Sequence, residues 1–247
     1  MQDEASSKPR PPARHGVARV ISKLGITSRT QAARWVVEGR VRVNGRIIRD
    51  PEFPVRQGLD RIEIAGEEHP AAARMVLMLN KPRGLLTSTR DERGRDTVYA
   101  CFAGADLPWL APVGRLDKAS EGMLLFSNDP QWAAQVTAPE SGPDKTYHVQ
   151  VSPVPAPATL SALAQGMALG DPLLAAKSVQ LLRQGEKNAW LEIVLDQGRN
   201  RQIRRLLQAY DISVLRLIRV AIGSIQLGDL GKGKWRMLDA AEIASLS

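Results

Sequence analysis

The sequence predicts a mixed helix-and-strand protein in two parts, a reading that rests on three observations. A short basic stretch ending near Gly66 holds two helical repeats and an Asn-Gly hairpin signal. Beyond it the composition shifts to apolar, strand-like runs interspersed with amphipathic helical segments. At 247 residues, 43% hydrophobic and 24% charged, the chain is long enough for one large domain beside a small one.

Residues 1–14 carry Pro9, Pro11 and Pro12 among polar residues and are expected to form a disordered basic arm. Val17, Val20, Ile21 and Leu24 recur at helical spacing, and Gly25 is placed to end that helix. Ser28-Arg29-Thr30-Gln31 has the form of a capping box and opens a second helix that stops near Gly39. Val41-Arg42-Val43, the turn pair Asn44-Gly45 and Ile47-Ile48 then spell a hairpin, and Ile62 and Ile64 a closing strand. This module spans residues 15–66. Residues 67–74, with Pro70 and three alanines, read as a linker to a second domain over 75–247.

Met75 to Leu79 is a continuous apolar run that predicts a buried strand, ending at Asn80-Lys81-Pro82-Arg83-Gly84. Thr89 to Asp96 reads as a charged loop, and Gly122 to Ser127 as another buried strand. Asp129-Pro130 start a helix as cap and first-turn proline, with Trp132, Ala133 and Val136 on its apolar side. Lys145 to Val151 alternates like a half-buried strand, with Tyr147, Val149 and Val151 on one face. Leu160, Leu163 and Met167 suggest a helix, and Ala175 to Leu182 and Trp190 to Leu195 two strands. Gly198-Arg199-Asn200 opens a helix with Ile203, Leu206, Leu207 and Tyr210 inside and Arg201, Arg204, Arg205 and Gln208 on the opposite face. Val214 to Leu227 is mostly strand-like, and Trp235 to Leu238 a last strand before a short helix capped by Asp239.

Composition excludes several classes. No apolar run approaches the roughly 18 residues that span a bilayer, and the acidic start Met1-Gln2-Asp3-Glu4 is no signal peptide. Cys101 is the only cysteine, which rules out an internal disulfide and fits a reducing cytoplasm. His15, His69 and His148 lie far apart, so no metal site is expected. No Gly-x-Gly-x-x-Gly turn or phosphate-loop lysine motif occurs, which argues against a nucleotide-fuelled enzyme. The net charge of +8 is uneven: ten basic residues from Arg10 to Arg49, Arg19, Arg29, Arg34, Arg40 and Arg42 among them, face one acid, Glu38. Such clustering is the footprint of a nucleic-acid binder, although a solvated surface or a face for acidic lipid has the same composition.

The stretch Val113-Gly114-Arg115-Leu116-Asp117-Lys118-Ala119-Ser120-Glu121-Gly122, set against the apolar run Met123-Leu124-Leu125-Phe126, is where chemistry is expected. Turn residues tight against a buried strand hold a polar side chain at a fixed place. On an RNA substrate, an ionised Asp117 can act as nucleophile toward a sugar or an electron-poor ring, and an adjacent arginine keeps it ionised. The reacting base must leave its stack and lie against an aromatic or apolar side chain. Arg204 and Tyr147 are the candidates. Arg204 is equally one of three basic residues on a solvated helix face, and Tyr147 equally a core residue.

Two resemblances sharpen this. Ser28-Arg29 and Glu38-Gly39-Arg40-Val41-Arg42-Val43-Asn44-Gly45 closely resemble the alpha-L RNA-binding domain first known from a small-subunit ribosomal protein, over roughly residues 16–66. The first helix departs from it, opening His15-Gly16-Val17 where an Arg-Leu start is usual. Asn80-Lys81-Pro82-x-Gly84, Gly114-Arg115-Leu116-Asp117-x-x-Ser120-Glu121-Gly122, Lys145-x-Tyr147-x-Val149 and Gly198-Arg199-Asn200-Arg201-Gln202-Ile203-Arg204-Arg205 come in the order found in ribosomal-RNA pseudouridine synthases of the Rsu type. Leu217-Ile218-Arg219-Val220-x-Ile222-Gly223 and Trp235-Arg236 also resemble that family.

The resemblance implies an α+β fold: a small helical-hairpin RNA-binding domain, then a catalytic domain with a long mixed, largely antiparallel sheet flanked by helices. It implies Asp117 as nucleophile, Tyr147 as the residue stacking on the target base, and Arg204 as the partner of Asp117. Arg115, Arg199, Arg201 and Arg205 would contact RNA. Pro130 stands where a glycine is common, which touches only the helix start. The implied reaction, uridine to pseudouridine, needs no cofactor or metal, and the implied partner is ribosomal RNA or a pre-ribosomal particle, bound by a cytoplasmic monomer. Large-subunit RNA is favoured. A catalytically silent ribosome-assembly factor on the same fold is the competing reading, against which the intact Asp117, Tyr147 and Arg204 argue. A tRNA-charging enzyme is disfavoured because no ATP-site motif occurs.

Overall fold

The computed structural model describes residues 14–56, 59–65, 67–68, 73–88, 94–139, 141–166 and 174–246. The arm expected over 1–14 lies outside them except for Arg14, as do half of the linker (69–72), most of the Thr89–Asp96 loop, and Met167. The chain divides into two compact units, Met1–Ala73 with Leu107–Leu110, and Arg74–Asp106 with Ala111–Ser247.

In the first unit, β1 (Arg14–Gly16) leads into helices α1 (Val17–Lys23) and α2 (Arg29–Val37). Arg14 therefore belongs to a strand and not to the arm. The hairpin strands β2 (Val41–Val43) and β3 (Arg46–Ile48) follow, then β4 (Pro54–Arg56), β5 (Ile62–Ile64) and β6 (Glu67–Glu68). The sheet order is β3-β2-β5-β6, and β1 pairs antiparallel with β4. The hairpin turns at Asn44 (φ 51°) and Gly45 (φ 81°), the two left-handed positions that an Asn-Gly turn supplies. The Ser28 hydroxyl accepts the Gln31 N–H at 3.1 Å, which caps α2. Val17, Val20, Ile21, Ala32, Val36, Val41 and Val55 are fully buried, so both helices lay one apolar face on the strands.

The second unit holds β7 (Val76–Lys81), β8 (Ala111–Val113), β9 (Glu121–Ser127), α3 (Pro130–Thr137), β10 (Lys145–Ser152), α4 (Pro157–Gln165), β11 (Ser178–Gln184) and β12 (Ala189–Leu195). After them come α5 (Gln202–Gln208), β13 (Ser213–Ile222), β14 (Ile225–Gln226), β15 (Trp235–Met237) and α6 (Ala240–Ala244). Among the described residues, the strands form a nine-stranded sheet in the order β11-β12-β10-β13-β9-β7-β15, with β14 on β13 and β8 on β9. The expected mixed, largely antiparallel sheet is what is found: β13 against β9 is the parallel pairing, and the other pairings are antiparallel. Strands β7 and β9 are buried at every position, which is why both read as continuous apolar runs. Strand β10 alternates buried and half-buried, so Lys145, Tyr147, Val149 and Val151 share its inner face.

One helix differs from its reading. Helix α5 starts at Gln202 rather than near Gly198–Asn200, because Arg201 takes a left-handed conformation (φ 49°) that breaks the helical path. Arg201 thus precedes the helix, and Arg204 is half-buried on it. The four basic and polar residues do not share one solvated face.

Candidate active site

The loop between β8 and β9 is held by its backbone. Lys81, at the end of β7, is fully buried, and its ammonium donates to the carbonyls of Ser120 (2.8 Å), Pro82 (3.1 Å) and Asp117 (3.2 Å). The Thr87 hydroxyl donates to the Leu116 carbonyl at 2.7 Å and accepts the Leu116 N–H at 3.2 Å. The Gly84 N–H donates to the Lys118 carbonyl at 2.8 Å, and the Ser120 N–H closes the turn on the Asp117 carbonyl at 3.0 Å. With the main chain clamped on both sides, the Asp117 carboxylate projects from a rigid support and stays 42% exposed. Burial pushes the Lys81 ammonium down to about 8, against the pull of Asp117.

Asp117 opens onto a cleft of about 380 Å³. Arg115 and Asp117 line it from the loop, Lys145 and Tyr147 from β10, and Leu217 and Arg219 from β13. Arg199, Arg201 and Arg204 line it from the turn and first residues of α5. The fold thus brings Asp117, Tyr147 and Arg204 into one cavity, although 87 positions separate the first from the last. Tyr147 is only 7% exposed and sits between Ile193 of β12 and Arg219 of β13 in the sheet register. It is both a packed strand residue and a cleft wall.

The pairing expected of Arg204 is made by a neighbour. Among the described residues, the cation within ion-pair distance of the Asp117 carboxylate is Arg201, at 3.7 Å. Arg204 makes no such pair; its Nη1 donates to the Val214 carbonyl at 3.4 Å, and its Nε is buried without an acceptor. Burial, and then the charge of Arg201, lower the Arg204 proton affinity, while Asp117 acts the other way. Arg201 is the residue in the left-handed conformation just before α5.

Of the remaining candidates, Arg115, Arg199 and Arg201 line the cleft and Arg205 does not. Arg19, Arg29, Arg34, Arg40 and Arg42 are all exposed on the first unit. Arg29 is held by Glu52 at 2.7 Å, and Arg40 lies over the Trp35 ring at 5.2 Å. Among the described residues, no group of three or more His, Cys, Asp and Glu side chains is placed to hold a metal ion, and no helix is long and apolar enough to cross a membrane.

Three residues reach the site without having been singled out for a role. Lys81 anchors the loop. Lys145 and Arg219 form part of the cleft wall, and both are at least nine-tenths buried. A signal for Lys145 was present: it falls in phase with Tyr147, Val149 and Val151, which puts a charge on the buried face. Glu121, at the start of β9, is likewise buried and bonded by Arg216 (3.1 Å, twice) and Lys232 (2.6 Å). Burial pushes its carboxyl up, but those two cations outweigh burial and hold it low.

Comparison with known proteins shows the family. The sequence pattern of a family described as RNA pseudouridylate synthase matches residues 75–209, and that of the S4 domain matches residues 17–60. The chain is 35% identical to an RNA pseudouridine synthase of Aquifex aeolicus (strain VF5), over 93% of this chain and 92% of that protein. It is 32% identical to the ribosomal large subunit pseudouridine synthase B of Bacillus subtilis (strain 168), over 92% of this chain and 93% of that one. A crystal structure of a pseudouridylate synthase, 28% identical, superposes with a TM-score of 0.66 over 95% of this chain and all of its own.

Proposed function

We propose, for a chain that belongs to the RNA pseudouridylate synthase family, that it isomerises one specific uridine of ribosomal RNA, in the large subunit, with Asp117 as the nucleophile. The observation that carries this reading is the single cleft in which a rigidly supported carboxylate faces an aromatic wall and several cations. The target uridine leaves its stack and lies against Tyr147. Arg201 lies 3.7 Å from the Asp117 carboxylate, and Arg204 lines the same cleft. The glycosidic carbon–nitrogen bond then breaks, the held uracil turns, and a carbon–carbon bond forms. Substrate and product are isomers, so the reaction calls for no oxidant, group donor or energy source, and the proposal includes no cofactor. Choice of site comes from RNA shape and unpaired loops, read by the exposed arginines of the first unit together with Arg115 and Arg199. The relative named as a large-subunit synthase supports that RNA as substrate. The test is pseudouridine mapping across both ribosomal RNAs from cells with and without this protein. Loss of one large-subunit pseudouridine, restored by wild-type protein and not by Asp117→Asn, is expected. An unchanged map in both RNAs overturns the reading.

A further inference from the structure

Two cations in the cleft wall have no ion-pair partner within 4 Å among the described residues. Lys145 is 9% exposed, and its ammonium makes no hydrogen bond or ion pair among the described residues. The nearby acid Asp144 is already taken by Lys177 at 2.6 Å. Arg219 is 5% exposed; its Nε donates to the Met123 carbonyl at 2.7 Å, while its Nη2 is buried without an acceptor. Burial, then the charge of Arg219, lower the Lys145 proton affinity, with Asp144 and Asp196 acting the other way. Burying a cation without a partner costs stability. Such a cost at the wall of a catalytic cleft marks a group whose partner is the ligand.

The strand geometry says which part of a ligand is met. Lys145 and Tyr147 share the inner face of β10, two residues and hence about 7 Å apart along the strand. A pyrimidine stacked on Tyr147 with its carbonyl edge toward Lys145 brings O2 or O4 to the ammonium. When the bond between C1′ and N1 breaks, its electron pair leaves on N1 and spreads over O2 and O4. When C5 later attacks C1′, that pair forms the new bond, the bond made by the Asp117 carboxylate breaks with its pair returning to the oxygen, and the proton lost from C5 is matched by one gained at N1.

We infer that Lys145 is a further catalytic residue, whose ammonium, backed by Arg219, stabilises the negative charge on the uracil while it is detached from the sugar. Lys145 keeps its proton throughout. The inference rests on the proposed isomerisation and adds to it the group that receives the departing charge.

The test compares Lys145→Met and Lys145→Arg with wild type in single turnover on two transcripts of one ribosomal RNA fragment. One carries uridine at the target and the other 5-fluorouridine, whose electron-withdrawing fluorine makes the detached base a more stable anion. Bond cleavage is read as disappearance of the starting nucleoside. At saturating RNA, Lys145→Met is expected to slow cleavage of uridine about 100-fold with RNA affinity within about threefold of wild type. The defect should be clearly smaller on 5-fluorouridine, and Lys145→Arg should lose less on both. If Lys145→Met does not fold, the ratio of the two defects in Lys145→Arg decides. Equal defects on both transcripts, a loss of affinity with an unchanged saturated rate, or a wild-type rate each overturn the inference. A wild-type protein that makes no pseudouridine in any ribosomal RNA fragment instead overturns the proposed reaction itself.

Discussion

Gly122→Ala tests whether the parallel junction in the sheet sets the geometry of the cleft. Gly122 has φ 99°, and a Cβ there would lie 2.3 Å from the Arg219 carbonyl oxygen and 2.7 Å from the Arg219 nitrogen. Those are backbone atoms of the paired strand, in register at Arg219↔Gly122, and cannot rotate away. Holding a non-glycine residue at such a φ costs about 1–3 kcal/mol, and forcing an extra carbon into a packed site adds about 1–3 kcal/mol. The sum, roughly 2–6 kcal/mol, is a large part of the 5–15 kcal/mol that a domain typically has. The functional cost comes from the same place. Strand β9 follows the Asp117 loop, while β13 and β10 carry Arg219 and Tyr147, so parting β9 from β13 moves the carboxylate away from the stacking wall. A displacement of about 1 Å is enough for a rate loss of about 100-fold. Urea unfolding and single-turnover pseudouridine formation measure both effects. Gly228→Ala is the control: it has φ 57° but nothing within 4 Å of the added carbon, and should cost only about 1 kcal/mol. The reasoning fails if Gly122→Ala loses no more stability than Gly228→Ala.

Three further perturbations probe the site and the basic module. Lys81→Met removes the donor to the Asp117 and Ser120 carbonyls and should lower the rate at least tenfold, read in single turnover; a rate within threefold would mean that Thr87 and Gly84 hold the loop unaided. In the wild type, Lys81 sheds its proton near pH 8 when folded and near 10.5 when unfolded. Between those values the unfolded chain binds the extra proton, so this group's contribution to stability grows with pH. The neutral amine has two N–H donors for three carbonyls, so the rate should fall above about pH 8, and Lys81→Met should lack that alkaline limb. Arg204→Ala should cost about 100-fold in rate and Arg201→Ala less than tenfold, because the Arg201–Asp117 pair is half-exposed and such pairs contribute little; the reverse order would make Arg201 the essential partner. Replacing Arg19, Arg29, Arg34, Arg40 and Arg42 together with Gln should flatten the salt dependence of RNA binding by about 0.7 for each phosphate no longer neutralised, and an unchanged slope would make them a solvated surface.

Features with a local signal were legible in the sequence. Asn44-Gly45, Asp129-Pro130 and the apolar runs of β7 and β9 each declare their structure within a few residues. The pairing of β1 with β4 was not legible, because strands of three residues have no period to read. Nor was the start of α5, since nothing in the residue type of Arg201 announces a left-handed φ. The ion pair was not legible either: the resemblance pairs Arg204 with Asp117, whereas the cation 3.7 Å from that carboxylate is Arg201. Asp117 and Tyr147 could be picked out because a turn motif and a strand phase mark them. The anchoring by Lys81 and the placement of Arg219 on the cleft wall depend on hydrogen bonds to residues 39 and 96 positions away in the chain, which no local pattern encodes.

The central claim is that Asp117 performs the chemistry and contributes little to holding RNA. Asp117→Asn keeps the side chain's shape and removes its charge. The decisive measurement is its single-turnover rate of pseudouridine formation at saturating RNA, taken with its Kd for the same fragment. Loss of rate by several orders of magnitude, with affinity within about threefold of wild type, is the expected result. Turnover within tenfold of wild type would contradict it.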